Sequence, residues 1–147
     1  MKKVFLYTDG ACKGNPGPAS IGIIIKDSNG QILTSHNAQI GHSNSNIAEY
    51  LALLEGIKLA KRHGATDIEA TTDSQVLERH LNGQYNIQQP QLIQLASQIK
   101  SEIHPLDYFH IKHVRRHFNR EADRQANLAF IRDKNIEQVE ASLDSWS

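Results

Sequence analysis

The Asn29-Gly30 pair, set between two β-forming runs, most narrows what this chain can fold into. Asn-Gly readily takes the positive backbone angles that a tight hairpin turn needs. Ile21 to Lys26 is apolar and β-branched, and Gln31 to Asn37 resumes an extended pattern after Asp27-Ser28-Asn29-Gly30, which predicts a hairpin. Val4 to Thr8 reads as an earlier strand ending at Asp9-Gly10, with Gly14, Pro16, Gly17 and Pro18 in the loop that follows. Three strands joined in this way form an antiparallel meander.

Beyond residue 44 the pattern changes to alternating helices and strands. Ser45 or Asn46 begins a helix whose apolar residues Ile47, Tyr50, Leu51, Leu54 and Ile57 follow helical spacing. Gly64 stops it, after the dipole-favoured cations Lys61, Arg62 and His63. Asp67 to Thr72 is a short strand, and Asp73-Ser74 caps a short helix running to about Leu81. Pro90 starts another helix that ends at His104-Pro105. Tyr108 to Val114 is the last strand, and Asn119 opens a final helix through about Arg132. Strands separated by helices join in parallel. The expected fold is therefore α/β, a five-stranded mixed sheet of three antiparallel and two parallel strands flanked by helices. One domain is expected over residues 1–132, with a weakly ordered tail over 133–147 in which Trp146 has no assigned role.

Composition bounds the function. A length of 147 residues with 39% hydrophobic and 22% charged residues fits one domain with a real core and argues against disorder. No apolar run approaches the roughly 20 residues of a membrane span, so no membrane association is expected. The N-terminus shows no small-residue cleavage site, and the single Cys12 excludes an internal disulfide and fits a reducing cytosol, so a cytoplasmic protein is expected, with a monomer as the default. Sixteen Lys and Arg against sixteen Asp and Glu give a formal net charge of zero, which at first argues against nucleic acid as a partner.

Four carboxylates revise that inference. Taken singly, each has an ordinary explanation: Asp9 as a turn residue, Glu49 as the far half of a capping box with Asn46, Asp73 as a helix N-cap, and Asp123 as an acid favoured in a first helical turn. Taken together they meet. Asp9 and Asp73 end strands at the edge of an α/β sheet where ligands bind. Glu49 and Asp123 lie in first helical turns, which can face the same edge. Four carboxylates there repel one another unless cations lie between them. Hard divalent ions such as Mg²⁺ take oxygen ligands. Two of them about 4 Å apart form a clamp for in-line phosphoryl displacement.

The motifs around these acids resemble those of type 1 ribonuclease H. Tyr7-Thr8-Asp9-Gly10-Ala11-Cys12-Lys13-Gly14-Asn15-Pro16-Gly17-Pro18 resembles the family's opening motif. Ile47-Ala48-Glu49-Tyr50, Thr72-Asp73-Ser74-Gln75, and Asn119 to Asn127 around Ala122-Asp123 resemble the second, third and fourth, in the family's order. The resemblance spans roughly residues 1–132. It implies an endoribonuclease that hydrolyses the RNA strand of RNA/DNA hybrids with two Mg²⁺ ions, or Mn²⁺ as substitute, and leaves 3′-hydroxyl and 5′-phosphate ends. It implies Asp9, Glu49, Asp73 and Asp123 as catalytic metal ligands, and His117 as the match to a histidine that assists proton transfer or product release. It also implies substrate contacts from Cys12 through its main chain, from the Asn15 amide, and from Asn46 and Gln75 in the groove. Arg115 and Arg116 belong to the one local basic stretch, with Lys112, Arg120 and Arg124, and are assigned to phosphates.

The sequence also departs from the family. Asn44-Ser45-Asn46 stands where a Thr-Asn-Asn run is common. Residues 82–90 contain no Lys or Arg where some members carry a basic protrusion, so this is the compact form. Fewer neutralised phosphates imply weaker, less salt-sensitive binding. The competing readings are a non-catalytic hybrid- or RNA-binding module of the same fold, a related-fold nuclease with another substrate, and a plain structural domain whose acids are caps. A zinc site from His104, His110, His113 and His117 is set aside, for want of a Cys or a tight helical pair.

Overall fold

The computed structural model describes residues 2–131. Its elements are β1 (Lys3–Cys12), β2 (Gly17–Lys26), β3 (Ile32–Ser43), α1 (Ser45–Arg62), β4 (Asp67–Thr72), α2 (Gln75–Leu81), α3 (Pro90–Ile103) and β5 (Tyr108–His113). A single 3-10 turn, Arg116–Phe118, leads into α4, residues 120–131. The five strands form one sheet in the order β3-β2-β1-β4-β5. β1 pairs antiparallel with β2, and β2 with β3; β1 pairs parallel with β4, and β4 with β5. The expected tail and Trp146 lie outside the described residues.

Alternation along the strands decides which face each helix covers. Val4 and Leu6 of β1, with Ile21, Ile23 and Ile25 of β2, turn into a core shared with Tyr50, Leu53 and Ile57 of α1. Leu77 of α2 and Leu92, Ala96 and Ile99 of α3 extend this core. On the opposite face, α4 crosses β2 at Gly22. A Cβ there would overlap the backbone of Ala122 and Ala126, so only glycine admits the helix. The Ser20 hydroxyl donates to the Ala126 carbonyl at 2.5 Å, and the Asn37 amide to Gln125 Oε1 at 2.8 Å, fixing α4 in place.

Four expectations need correction. β1 does not end at Asp9: its ladder with β2 continues to the pair Cys12↔Ala19, and Asp9 faces Gly22. The parallel ladder with β4 stops earlier, at Tyr7↔Thr71, so Asp9 is paired on one side and open on the other. Likewise β3 runs to Ser43, because as an edge strand it follows β2 to its start at Gly17↔Ser43. Third, Asn46 does not cap α1. The N-cap is Asn44, whose side chain accepts from Ile47 N at 2.9 Å, and Glu49 is turned elsewhere. In α2 the cap is Ser74, accepting from Leu77 N, which leaves Asp73 free of that role.

Candidate active site

Strand register builds the first half of the site. Tyr7 lies beside Thr71 in the parallel pair, so two residues further on Asp9 and Asp73 stand side by side at the open edge. The second half depends on Gly10. A Cβ there would overlap the backbone of Ala48 and Glu49, so its absence lets α1 cross β1 in direct contact. That crossing delivers Glu49 to Asp9. Gly10 N donates to Glu49 Oε1, and Thr72 Oγ1 donates to Glu49 Oε2 at 3.4 Å. Ligand oxygens of Asp9, Glu49 and Asp73 all come within 4.8 Å of one another.

The fourth acid arrives from the other face of the sheet. Asn119, itself buried, donates from its amide to the Thr8 carbonyl at 2.8 Å and pins the start of α4 beside Asp9. Asp123 then sits one turn into the helix, its N–H bonded to Asn119 O. Its Oδ1 accepts from Arg116 Nη2 at 3.0 Å and Nε at 3.3 Å.

The electrostatics are unfavourable by themselves. Burial, then the Glu49 charge, holds the Asp9 carboxyl far above the ordinary carboxylate range. Burial, then the Asp73 charge, raises Glu49 as well. Asp9 Oδ2 is buried with no hydrogen-bond partner among the described residues. A buried carboxylate oxygen without a partner, beside other carboxylates, is an atom that a bound cation would satisfy. The donor set is all oxygen, with no His or Cys among the three converging ligands, and this suits a hard divalent ion. Asp9, Glu49 and Asp73 therefore fit a divalent metal site.

A cleft of about 490 Å³ opens over these acids. Of the residues expected to touch substrate, Cys12, Asn46, Gln75 and Arg116 line it. Asn15 instead exchanges hydrogen bonds with Ser45, through Nδ2 to Oγ at 3.1 Å and from Ser45 N to Oδ1 at 3.0 Å, tying the first loop to the start of α1. Arg115 and His117 are exposed and do not line the cleft, and His117 packs on the Phe118 ring at 4.0 Å. The four histidines considered for zinc form no ligand group among the described residues.

The structure adds cleft residues that the sequence reading passed over: Lys13, Ser45, Asn127 and Phe130. Asn127 and Phe130 were legible, since they follow Asp123 at helical steps of four and three on the same face. The Asn127 amide also donates to the Asp123 carbonyl at 2.9 Å.

Comparison with known proteins agrees with this geometry. The family described as "Reverse transcriptase-like" matches residues 7–129. The ribonuclease HI of Halobacterium salinarum is 36% identical over 127 residues, covering 86% of this chain. The crystal structure of RNase H1 from that archaeon superimposes with a TM-score of 0.85, covering 87% of this chain and 97% of the other. The chain belongs to the type 1 ribonuclease H family. LC11-RNase H1, solved in complex with an RNA/DNA hybrid, is 31% identical with a TM-score of 0.83, covering 90% of this chain and 99% of that one. This chain spans 64% of the length of the halobacterial ribonuclease HI and 35% of a mycobacterial bifunctional protein. Within the family it has the compact form: α2 and α3 are joined by residues 82–89 alone, without Lys or Arg.

Proposed function

We propose that this chain is an endoribonuclease that hydrolyses the RNA strand of RNA/DNA hybrids and leaves 3′-hydroxyl and 5′-phosphate ends. The observation that carries the reading is the convergence of Asp9, Glu49 and Asp73, with an orphaned Asp9 oxygen, at the floor of an open cleft. Asp9, Glu49, Asp73 and Asp123 would hold two divalent ions, Mg²⁺ with Mn²⁺ as substitute. Such ions, when bound, supply an activated water and a counter-charge for the leaving oxygen.

The chain's own residues do the rest. Gly10 N and Thr72 Oγ1 fix the Glu49 carboxylate, so its orientation is set before any ligand arrives. Asn119 fixes the start of α4 to the strand that bears Asp9. Asn46, Gln75 and the backbone at Cys12 line the cleft with small polar groups that suit a 2′-hydroxyl, the group that separates RNA from DNA and that both donates and accepts. The solved complex of LC11-RNase H1 with a hybrid supports the substrate assignment.

The test is a strand-labelled RNA/DNA hybrid, beside double-stranded RNA and double-stranded DNA, incubated with Mg²⁺, Mn²⁺ or EDTA. Cutting of the RNA strand of the hybrid with either metal, and none in EDTA, is expected. An uncut hybrid under every metal overturns the reading.

A further inference from the structure

Lys13 stands apart from the other cations of the cleft. Arg116 is paired with Asp123. Elsewhere Lys3, Lys26, Lys58 and Lys61 each reach a glutamate. Lys13 lines the acid-floored cleft and has no carboxylate partner among the described residues. Its ammonium lies 4.6 Å from the centroid of the Phe130 ring, which is only 6% exposed. The two residues come from opposite ends of the described chain, the first loop and the last turns of α4. The backbone under Lys13 is also held, its N–H donating to Pro18 O at 2.8 Å.

A cation–π contact with a buried ring orients an ammonium without neutralising it, leaving its three N–H groups for an anion. We infer that Lys13 is a phosphate contact for the nucleic-acid strand that enters this cleft, and that Phe130 positions it there. The inference rests on the proposed hybrid substrate and deepens it. Since the carboxylates attract no phosphate themselves, a pre-set ammonium at their rim supplies charge complementarity to the backbone beside the cleavage point. It does so without a basic protrusion. Holding the side chain in place beforehand lowers the rotamer entropy lost on binding.

The experiment uses the 147-residue chain carrying Asp9→Asn, which is expected to bind hybrid without cutting it, and measures its affinity for a short RNA/DNA hybrid across a salt series. Adding Lys13→Gln is expected to weaken binding about 3- to 10-fold and to reduce the salt slope by about one, as loss of one phosphate contact does. Lys13→Arg is expected to keep the slope. Phe130→Leu keeps the charge, so the slope is expected to hold while affinity falls about 2- to 4-fold, with Phe130→Tyr restoring it. Because Phe130 acts only through Lys13, the Lys13→Gln/Phe130→Leu pair is expected to be no weaker than Lys13→Gln alone.

Unchanged affinity and slope in the Lys13→Gln chain overturn the contact, even if the unsubstituted protein cuts hybrids. Additive losses in the double variant overturn the role of Phe130. If the unsubstituted protein binds hybrids with a slope that falls by one in Lys13→Gln yet cuts nothing, the phosphate contact stands and the nuclease reading falls. No binding to the hybrid at all overturns both.

Discussion

Asp9 and Asp123 occupy one site under opposite conditions. Asp9 is 3% exposed, lies within a strand between two ladders of different length, and has one oxygen with no partner. Asp123 is half-exposed, lies on a helix from the other face of the sheet, and is already held by the Arg116 guanidinium. The first is a buried carboxyl whose charged form the fold leaves uncompensated, so that it holds its proton until a cation arrives; the second carries a cation of the protein's own. The strand side of the site is thus fixed by burial and ladder pairing, and the α4 side, held by a partly exposed ion pair, is the adjustable one.

The strongest way to break the comparison is Asp9→Asn. Removing partners that merely orient metal ligands costs about 10- to 100-fold, so losing the central ligand is expected to cost more than about 100-fold in hybrid cleavage. In EDTA the same variant is expected to be more stable than the parent, with a Tm gain of about 2–4 °C for each kcal/mol of repulsion removed. Loss of activity with a gain of stability marks a group retained for function. Lower stability in EDTA would show instead that Asp9 belongs to the packing.

Next in size is Gly22→Ala, which strikes the α4 side alone. The added Cβ would overlap the backbone of Ala122 and Ala126, and overpacking of this kind costs about 1–3 kcal/mol. Shifting α4 moves Asp123 and leaves Asp9, Glu49 and Asp73 together. Cleavage is expected to fall by about tenfold while metal-dependent stabilisation persists, read by thermal unfolding with and without Mg²⁺. Loss of that stabilisation would place the essential ligand on α4.

Much of this arrangement is legible in the sequence, and the misreadings share a cause. Asn29-Gly30 gave the hairpin, and helical spacing gave α1 and α3, because turn chemistry and periodicity are local properties. Asp9 was misread as a strand end because Asp-Gly is also a turn signal; only the ladder with β2 carries the strand on to Cys12. Glu49 fitted a capping box with Asn46, yet the contact of α1 with Gly10 turns it into the site and leaves the cap to Asn44. Arg116 read as a free phosphate contact because nothing in a linear sequence shows that Asp123, seven residues on, folds back to meet it. Lys13 and Phe130, far apart in sequence, meet only through tertiary structure.

A smaller effect follows from pH. Asp9 and Glu49 hold their protons in the folded protein at pH values where the unfolded chain has released them. The folded state therefore binds more protons above the ordinary carboxylate range, and stability falls as pH rises. In EDTA, Tm is expected to drop between about pH 5 and pH 9, with a shallower drop for Asp9→Asn. Added Mg²⁺ is expected to raise Tm most at the alkaline end, where it no longer competes with protons. A Tm that rises with pH in EDTA would contradict the buried, raised carboxyls.

Arg116→Gln gives the smallest expected change and the sharpest reading of the adjustable side. The Arg116–Asp123 pair is partly exposed, with side chains 73% and 27% accessible, so breaking it is expected to change stability by under about 1 kcal/mol. Its effect on metal use has a definite sign. Arg116 competes with a divalent ion for the Asp123 oxygen and adds positive charge near Asp9 and Asp73. Removing it is expected to lower the Mg²⁺ concentration for half-maximal cleavage by up to about fivefold, the factor that corresponds to 1 kcal/mol. If that concentration rises instead, Arg116 is holding Asp123 in its ligating pose. The α4 side would then be as pre-set as the strand side, and the contrast between Asp9 and Asp123 would reduce to burial alone.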